Sequence, residues 1–386
     1  MIPYGCQSID QEDIQAVVSV LESNYLTQGP LVTKFEDRLK EYCGVDYAVA
    51  VNSATSALHI ACLALGVGKG DLVWTSPITF VASANCALYC GASVDFIDIE
   101  LSTGNISIAA LEKKLAHAQA NNCLPKVIIP VHFAGQPCDM QAIHQLSKQY
   151  GFSIIEDAAH AIGSSYQAYK TGCGKYSDIT VFSFHPVKII TSAEGGMALT
   201  NQKELADKMR LFSSHGVTRN PDILTGEING SWAYEQHVLG FNYRISDIHA
   251  ALGLSQVDKL DEFVAKRNRL SQQYDKAFKA LPCTPLITKP GSLNSYHLYV
   301  ILLDESYDRE SVFDELRKND LGVNVHYIPV YKQPYYQSLG FDNHYCDEAE
   351  SFYKRIITLP LFPGLTEKDQ KRVVEIVKEV LGSLRS

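Results

Sequence analysis

No C-x-x-C pair occurs among the ten cysteines of this 386-residue chain. Cys86 and Cys90 lie four apart, but no second His or Cys pair nearby completes a zinc site, so reduced, packed thiols and no metal are expected. Basic residues are not in excess: 34 Lys and Arg face 43 Asp and Glu, a net charge of -9. That balance disfavours a non-specific nucleic-acid binder, which needs a basic surface. No tract of one charge sign suggests a tail or a polybasic membrane patch. The opening MIPYGCQSIDQEDI has neither the basic start nor the apolar stretch of a secretory signal, so a cytoplasmic protein is expected. A long hydrophobic run is missing too. Leu72 to Val94 carries no Asp, Glu, Lys or Arg, yet Pro77, Asn85, Gly91 and several Ser and Thr divide it. A buried strand followed by a buried helix explains it better than a membrane span.

What is present is 46% hydrophobic and 20% charged, ordinary for a globular protein. YAVAV (Tyr47 to Val51) reads as a strand, and SALHIACLAL behind it as a helix. DLVWTS, SVDFIDI, KVIIPVHF, FSIIED, TVFSF and GMALT read as further strands, mostly separated by helices such as LEKKLAHA and MQAIHQLSKQY. This alternation predicts an α/β fold, a mainly parallel sheet sandwiched by helices, with ligands at the carboxyl ends of its strands. From about Ile245 the texture changes. One long helical stretch, Asp247 to Leu281, leads through the connector CTPLITKPGSLNS to HLYVILL (strand), RESVFDELRKN (helix), GVNVHYI (strand) and a terminal helix. The expected division is a large domain with an N-terminal arm, residues 1–250, and a smaller α+β domain, residues 251–386, that includes the connecting helix.

Two glycine-rich stretches imitate phosphate loops. GVGKGD follows a helix and precedes a strand, the wrong order, and GCGKYSD lacks the P-loop spacing, so both read as turns. Lys188 is more informative. It is the one charged residue between Ile179 and Ile190. A lysine held away from water has a lowered pKa, which suits imine chemistry with an aldehyde cofactor. Asp157 ends FSIIED at the edge where α/β sites form, placing a carboxylate where a pyridine nitrogen could be kept protonated. NSATSAL (Asn52 to Leu58) follows a strand and opens a helix, where small residues and Thr55 could seat a phosphate. Ser183 could add another phosphate contact. Taken singly, each also reads as a cap, a turn or a surface residue.

In the order small-residue turn, aromatic, strand-ending Asp, Ser, Lys and Gly-Gly, the set resembles the DegT/StrS family of sugar aminotransferases, which have the fold of the aspartate aminotransferase superfamily. The resemblance covers nearly the whole chain and rests on LTQGP, NSATSAL, PITFVASAN, EDAAHAIGS, SFHPVKIITSAEGG, SHGV and GFNYRISDIHAALGLSQ. It implies pyridoxal 5'-phosphate as cofactor, joined to Lys188 as an imine. It implies Asp157 at the pyridine nitrogen, His160 near the ring hydroxyl, Phe80 stacked on the ring, and Ala54, Thr55 and Ser183 at the phosphate. Asn242 matches a phosphate contact from the neighbouring subunit, which implies a homodimer with shared sites. His215, His326 and Tyr327 are candidate sugar contacts by position, with core or turn roles as the alternative. Within the family, LTQGP, NSATSAL, PITFVASAN and SFHPVK look most like the branch that aminates C4 of a UDP-linked 4-keto-6-deoxy-2-acetamido-L-hexose, with glutamate as donor, in pseudaminic acid biosynthesis. The rivals are an aminotransferase for another UDP- or dTDP-linked keto sugar (the bacillosamine or thomosamine type), a dehydratase of the same fold, and a non-catalytic sensor. The dehydratase has histidine in place of the lysine, which Lys188 counts against.

Overall fold

Seven short apolar segments pair into the larger sheet of the computed structural model, which describes residues 1–226 and 230–384. They are β1 (Tyr47–Val51), β2 (Leu72–Thr75), β3 (Ser93–Phe96), β4 (Val127–Ile129), β5 (Ser153–Asp157), β6 (Ile179–Ser183) and β7 (Gly196–Thr200), in the order β1-β7-β6-β5-β4-β2-β3. From β6 to β3 every pairing is parallel, while β7 runs antiparallel to both β1 and β6.

Strand side chains alternate between faces, and here the alternation feeds separate cores. Val49 and Val51 of β1, Val127 and Ile129 of β4 and Ile179 and Val181 of β6 meet α3 (Ala54–Ala64), α4 (Ala82–Tyr89) and α7 (Lys203–Ser213). On the opposite face, Ala48, Ala50, Phe182, Met197 and Leu199 pack against α2 (Pro30–Cys43) and α8 (Asp247–Val257). Ile128 and Ile154 meet α5 (Ile108–Ala120) and α6 (Met140–Tyr150). Both faces are therefore covered, as an apolar parallel sheet requires. The uncharged stretch Leu72 to Val94 holds β2 and α4, and no helix among the described residues is long and apolar enough to cross a membrane.

The C-terminal part is smaller. Strands β8 (Cys283–Pro285), β9 (Tyr299–Leu303) and β10 (Ile356–Leu359) form an antiparallel sheet packed on α9 (Leu260–Phe278) and on helices Arg309–Lys318 and Glu367–Ser383. Two expectations need correction here. The long helix is two helices, α8 and α9, broken at Asp258 and Lys259; Lys259 turns to α1 (Gln11–Leu21), where its Nζ lies 3.0 Å from the buried Asp13 carboxylate. The run GVNVHYI forms no strand. Asn324 alone bridges Thr358 of β10, and the sheet takes the fully buried Ile356–Leu359 as its third strand.

Candidate active site

The carboxyl ends of β1, β5 and β6 open into a cavity of about 330 Å³. At its first corner, β1 gives way to α3 through Ser53, whose Oγ accepts the Ser56 N–H at 3.1 Å. Ala54 and Thr55 follow in the first turn, where N–H groups lack intrahelical acceptors and the helix dipole is positive. Gly196, at the start of β7, passes directly against this turn. A Cβ there would lie 2.5 Å from Ala54 N and from the Ser53 carbonyl, so the close approach requires glycine. Ser183, buried at the end of β6, faces the same space. The corner offers donors and positive potential, a seat for a phosphate.

Asp157, at the end of β5, is 5% exposed. Its Oδ2 accepts from Ser83 Oγ at 2.6 Å and its Oδ1 from the Ala159 N–H at 3.1 Å. Because Ser83 spends its hydrogen on the carboxylate, Thr79 Oγ1, 2.6 Å away, donates to Ser83 in turn. This chain of donors fixes the position of the Asp157 carboxylate and aims it. Lys188 sits on the loop between β6 and β7, partly buried in the cavity wall. Among the described residues its amine has no hydrogen-bond or ion-pair partner. Burial lowers its pKa to about 8, against the opposing charge of Asp157. A substantial fraction of an amine with that pKa is neutral, hence nucleophilic, near neutral pH. The Phe80 ring is 60% exposed at the cavity mouth, free to cover a flat ligand.

The opposite wall is built from imidazoles and phenols. His160 Nδ1 accepts the Ala134 N–H at 3.3 Å, so the ring proton resides on Nε2, which donates to Tyr327 Oη at 3.1 Å. Ala134 achieves this in a left-handed conformation, φ 57°, a strained geometry for a residue with a Cβ. Burial first, then the nearby charges of Lys188 and His326, holds the His160 pKa well below the usual histidine range. Tyr327 keeps its own hydrogen to donate, and burial pushes its phenol pKa up. His326 bonds Thr358 Oγ1 at 2.9 Å through Nδ1, and burial lowers its pKa to about 3.

Nine of the residues singled out in the sequence thus surround one cavity: Ala54, Thr55, Phe80, Asp157, His160, Ser183, Lys188, His326 and Tyr327. Asn242 and His215 do not line it. Both are exposed, on neighbouring strands of chain joined by the Ser214–Asn242 bridge. Sequence reasoning missed Thr79 and Ser83, although both lie inside the motif PITFVASAN. It also missed Tyr4 and His297, which reach the cavity from distant segments.

These residues fit pyridoxal phosphate: a glycine-dependent anion corner, a buried carboxylate, an unpaired amine of lowered pKa and an exposed aromatic face. The comparisons agree with that chemistry. Over 388 residues the chain is 39% identical to the UDP-4-amino-4,6-dideoxy-N-acetyl-beta-L-altrosamine transaminase of Campylobacter jejuni, covering 100% of this chain and 99% of that one. It is 38% identical over 387 residues to the spore coat polysaccharide biosynthesis protein SpsC of Bacillus subtilis, covering 98% and 97%. The structure of Helicobacter pylori PseC, an aminotransferase involved in pseudoaminic acid biosynthesis, superposes with a TM-score of 0.91 at 36% identity, over 99% of both chains. Spr1654 of Streptococcus pneumoniae, in its PLP form, gives 0.90 at 30% identity, over 100% of both. The family profile matches residues 7–378, and the chain belongs to the DegT/DnrJ/EryC1/StrS aminotransferase family.

Proposed function

We propose that the chain is a pyridoxal-phosphate-dependent aminotransferase that moves the amino group of glutamate to C4 of a UDP-linked 4-keto-6-deoxy-2-acetamido-L-hexose, giving UDP-4-amino-4,6-dideoxy-N-acetyl-β-L-altrosamine. The observation that carries the aminotransferase reading is Lys188, an unpaired amine of lowered pKa beside the buried Asp157. The substrate is supported by the near-complete alignments with the Campylobacter transaminase and Helicobacter PseC.

When bound, pyridoxal phosphate supplies an aldehyde that exchanges amines and a ring that takes up the electron pair released at the donor's α-carbon. Ala54, Thr55 and Ser183 would hold its phosphate, and Phe80 would cover one ring face. Asp157, backed by Ser83 and Ala159, would hold a proton at the pyridine nitrogen. The Lys188 amine, displaced by the incoming amine, would be free to carry the proton from the donor's α-carbon to the cofactor's aldehyde carbon. Returned in the reverse half-reaction, that proton completes a ping-pong cycle. Tyr327, made a donor by His160, would meet an oxygen of the sugar, with His326 beside it. Asn242 is exposed and away from its own cavity, as a residue serving a second subunit would be, so the proposal includes a homodimer with shared sites.

The rival is an aminotransferase for another UDP- or dTDP-linked keto sugar, favoured by the equally extensive match to SpsC. The experiment is spectroscopic. Glutamate should bleach the cofactor band of the loaded protein, and the L-arabino UDP-4-keto sugar should restore it. Restoration only by the D-xylo epimer or by a dTDP sugar would keep the reaction and replace the substrate. No response to glutamate would remove the donor.

A further inference from the structure

His297 lines the cavity and has no part in the chemistry above. Its segment is stitched to the opposite wall. Ser295 Oγ donates to the His160 carbonyl at 3.0 Å, and the Leu298 N–H donates to the Ala134 carbonyl at 3.3 Å. From behind, the fully buried Arg267 donates through Nη1 to the carbonyls of Tyr296 (3.1 Å), His297 (3.2 Å) and Leu361 (2.9 Å). The ring is thereby held with its centre 4.4 Å from that of His160.

His297 is 5% exposed, and its Nδ1 is sealed off without a hydrogen-bond partner. Buried polar groups are rarely left so without a reason. Nδ1 is the ring nitrogen nearer the backbone that Arg267 grips, and a lone pair there suits the guanidinium charge where an N–H would oppose it. The proton therefore belongs on Nε2, which is not sealed and opens to the cavity. Burial, then the charges of Lys188, His160, Arg267 and His326, keeps the imidazole neutral. His160 has both nitrogens committed, to the Ala134 N–H and to Tyr327. The uncommitted ring N–H beside it belongs to His297.

We infer that His297 contacts the cofactor, its Nε2–H donating to the ring-hydroxyl oxygen beside His160. This rests on the proposed function, since the ring must lie in this cavity. A donor on that oxygen holds negative charge there and away from the imine proton; without it the imine keeps its proton to higher pH.

The test is a pH titration of the bound cofactor's absorbance in the absence of substrate. His297→Phe should raise the midpoint by about one pH unit, and His297→Gln, which keeps an N–H at similar reach, should stay within about 0.3 unit of the unsubstituted protein. An unshifted Phe variant overturns the inference, and so does a Gln variant shifted as far as the Phe variant. Should the Phe variant fail to fold or to take up cofactor, the shorter His297→Asn decides: a raised midpoint supports the contact and an unshifted one removes it. An unsubstituted protein with no imine band would instead overturn the proposed function itself, and this inference with it.

Discussion

The cavity has two walls of different construction. One is the edge of the large sheet, where strand ends and a helix start place Ala54, Asp157, Ser183 and, on the adjoining loop, Lys188. The other is Tyr4, His297, His326 and Tyr327, carried on irregular segments from both ends of the chain. The first wall holds an acid, an amine and backbone donors in fixed geometry. The second holds imidazoles that burial keeps neutral and phenols that burial keeps protonated. Charge is thus confined largely to the wall where bonds would be made and broken. Neutral donors face the side left for a hydroxyl-rich ligand.

The largest test of this division is Lys188→Ala. It should lower turnover by at least about 10³-fold while the protein stays folded, and a variant that still made many equivalents of product would end the assignment. Asp157→Asn comes next, with an expected loss in kcat of about 10²–10³-fold, measured with saturating cofactor so that occupancy is not the cause. Third, Lys188→Met should stabilise the cofactor-free protein at neutral pH by about 1–2 kcal/mol, after allowance for the lysine's partial exposure. Its sign follows from linkage. The folded pKa of about 8 lies below the unfolded value near 10.5, so the unfolded chain binds the extra proton between them. Native stability then rises with pH across that window, and the advantage of the Met variant should fade over the same range in urea melts. The smallest effect belongs to the neutral wall: Tyr327→Phe should lower kcat/KM for the sugar by about 3- to 10-fold, one neutral hydrogen bond, with the cofactor spectrum unchanged. A Tyr327 effect as large as that of Asp157 would erase the distinction between the walls.

The same contrast separates what could be read in the sequence from what could not. Residues of the sheet wall stand at or near the ends of apolar runs, so the strand end located Asp157 and the strand-to-helix turn located Thr55, while Ser183 was singled out by its nearness to Lys188 and Ala54 by the family resemblance. His297 and Tyr4 stand at no such boundary. They join Lys188 in lining the cavity through packing between segments more than a hundred residues apart, which no local pattern encodes. GVNVHYI has the composition of a strand, but the edge of the small sheet is filled by Ile356–Leu359, and tertiary pairing overrides propensity there. Ser83 was hidden differently. It lies in a motif that was read, but its role depends on an Asp157 contact across 74 residues of chain.

The single antiparallel strand of the large sheet has a consequence for the lysine. Since β7 runs opposite to β6, the chain leaves β6 and enters β7 at the same edge, without the long crossover that a parallel partner would require. The segment carrying Lys188 is therefore a short tether pinned at both feet, by Ser183 and by a Gly196 wedged against the start of α3. Were the amine to release the cofactor as proposed, a flexible side chain alone could carry it away and back. The distance it would have to search to return is its own length, which would keep its local concentration high throughout each cycle.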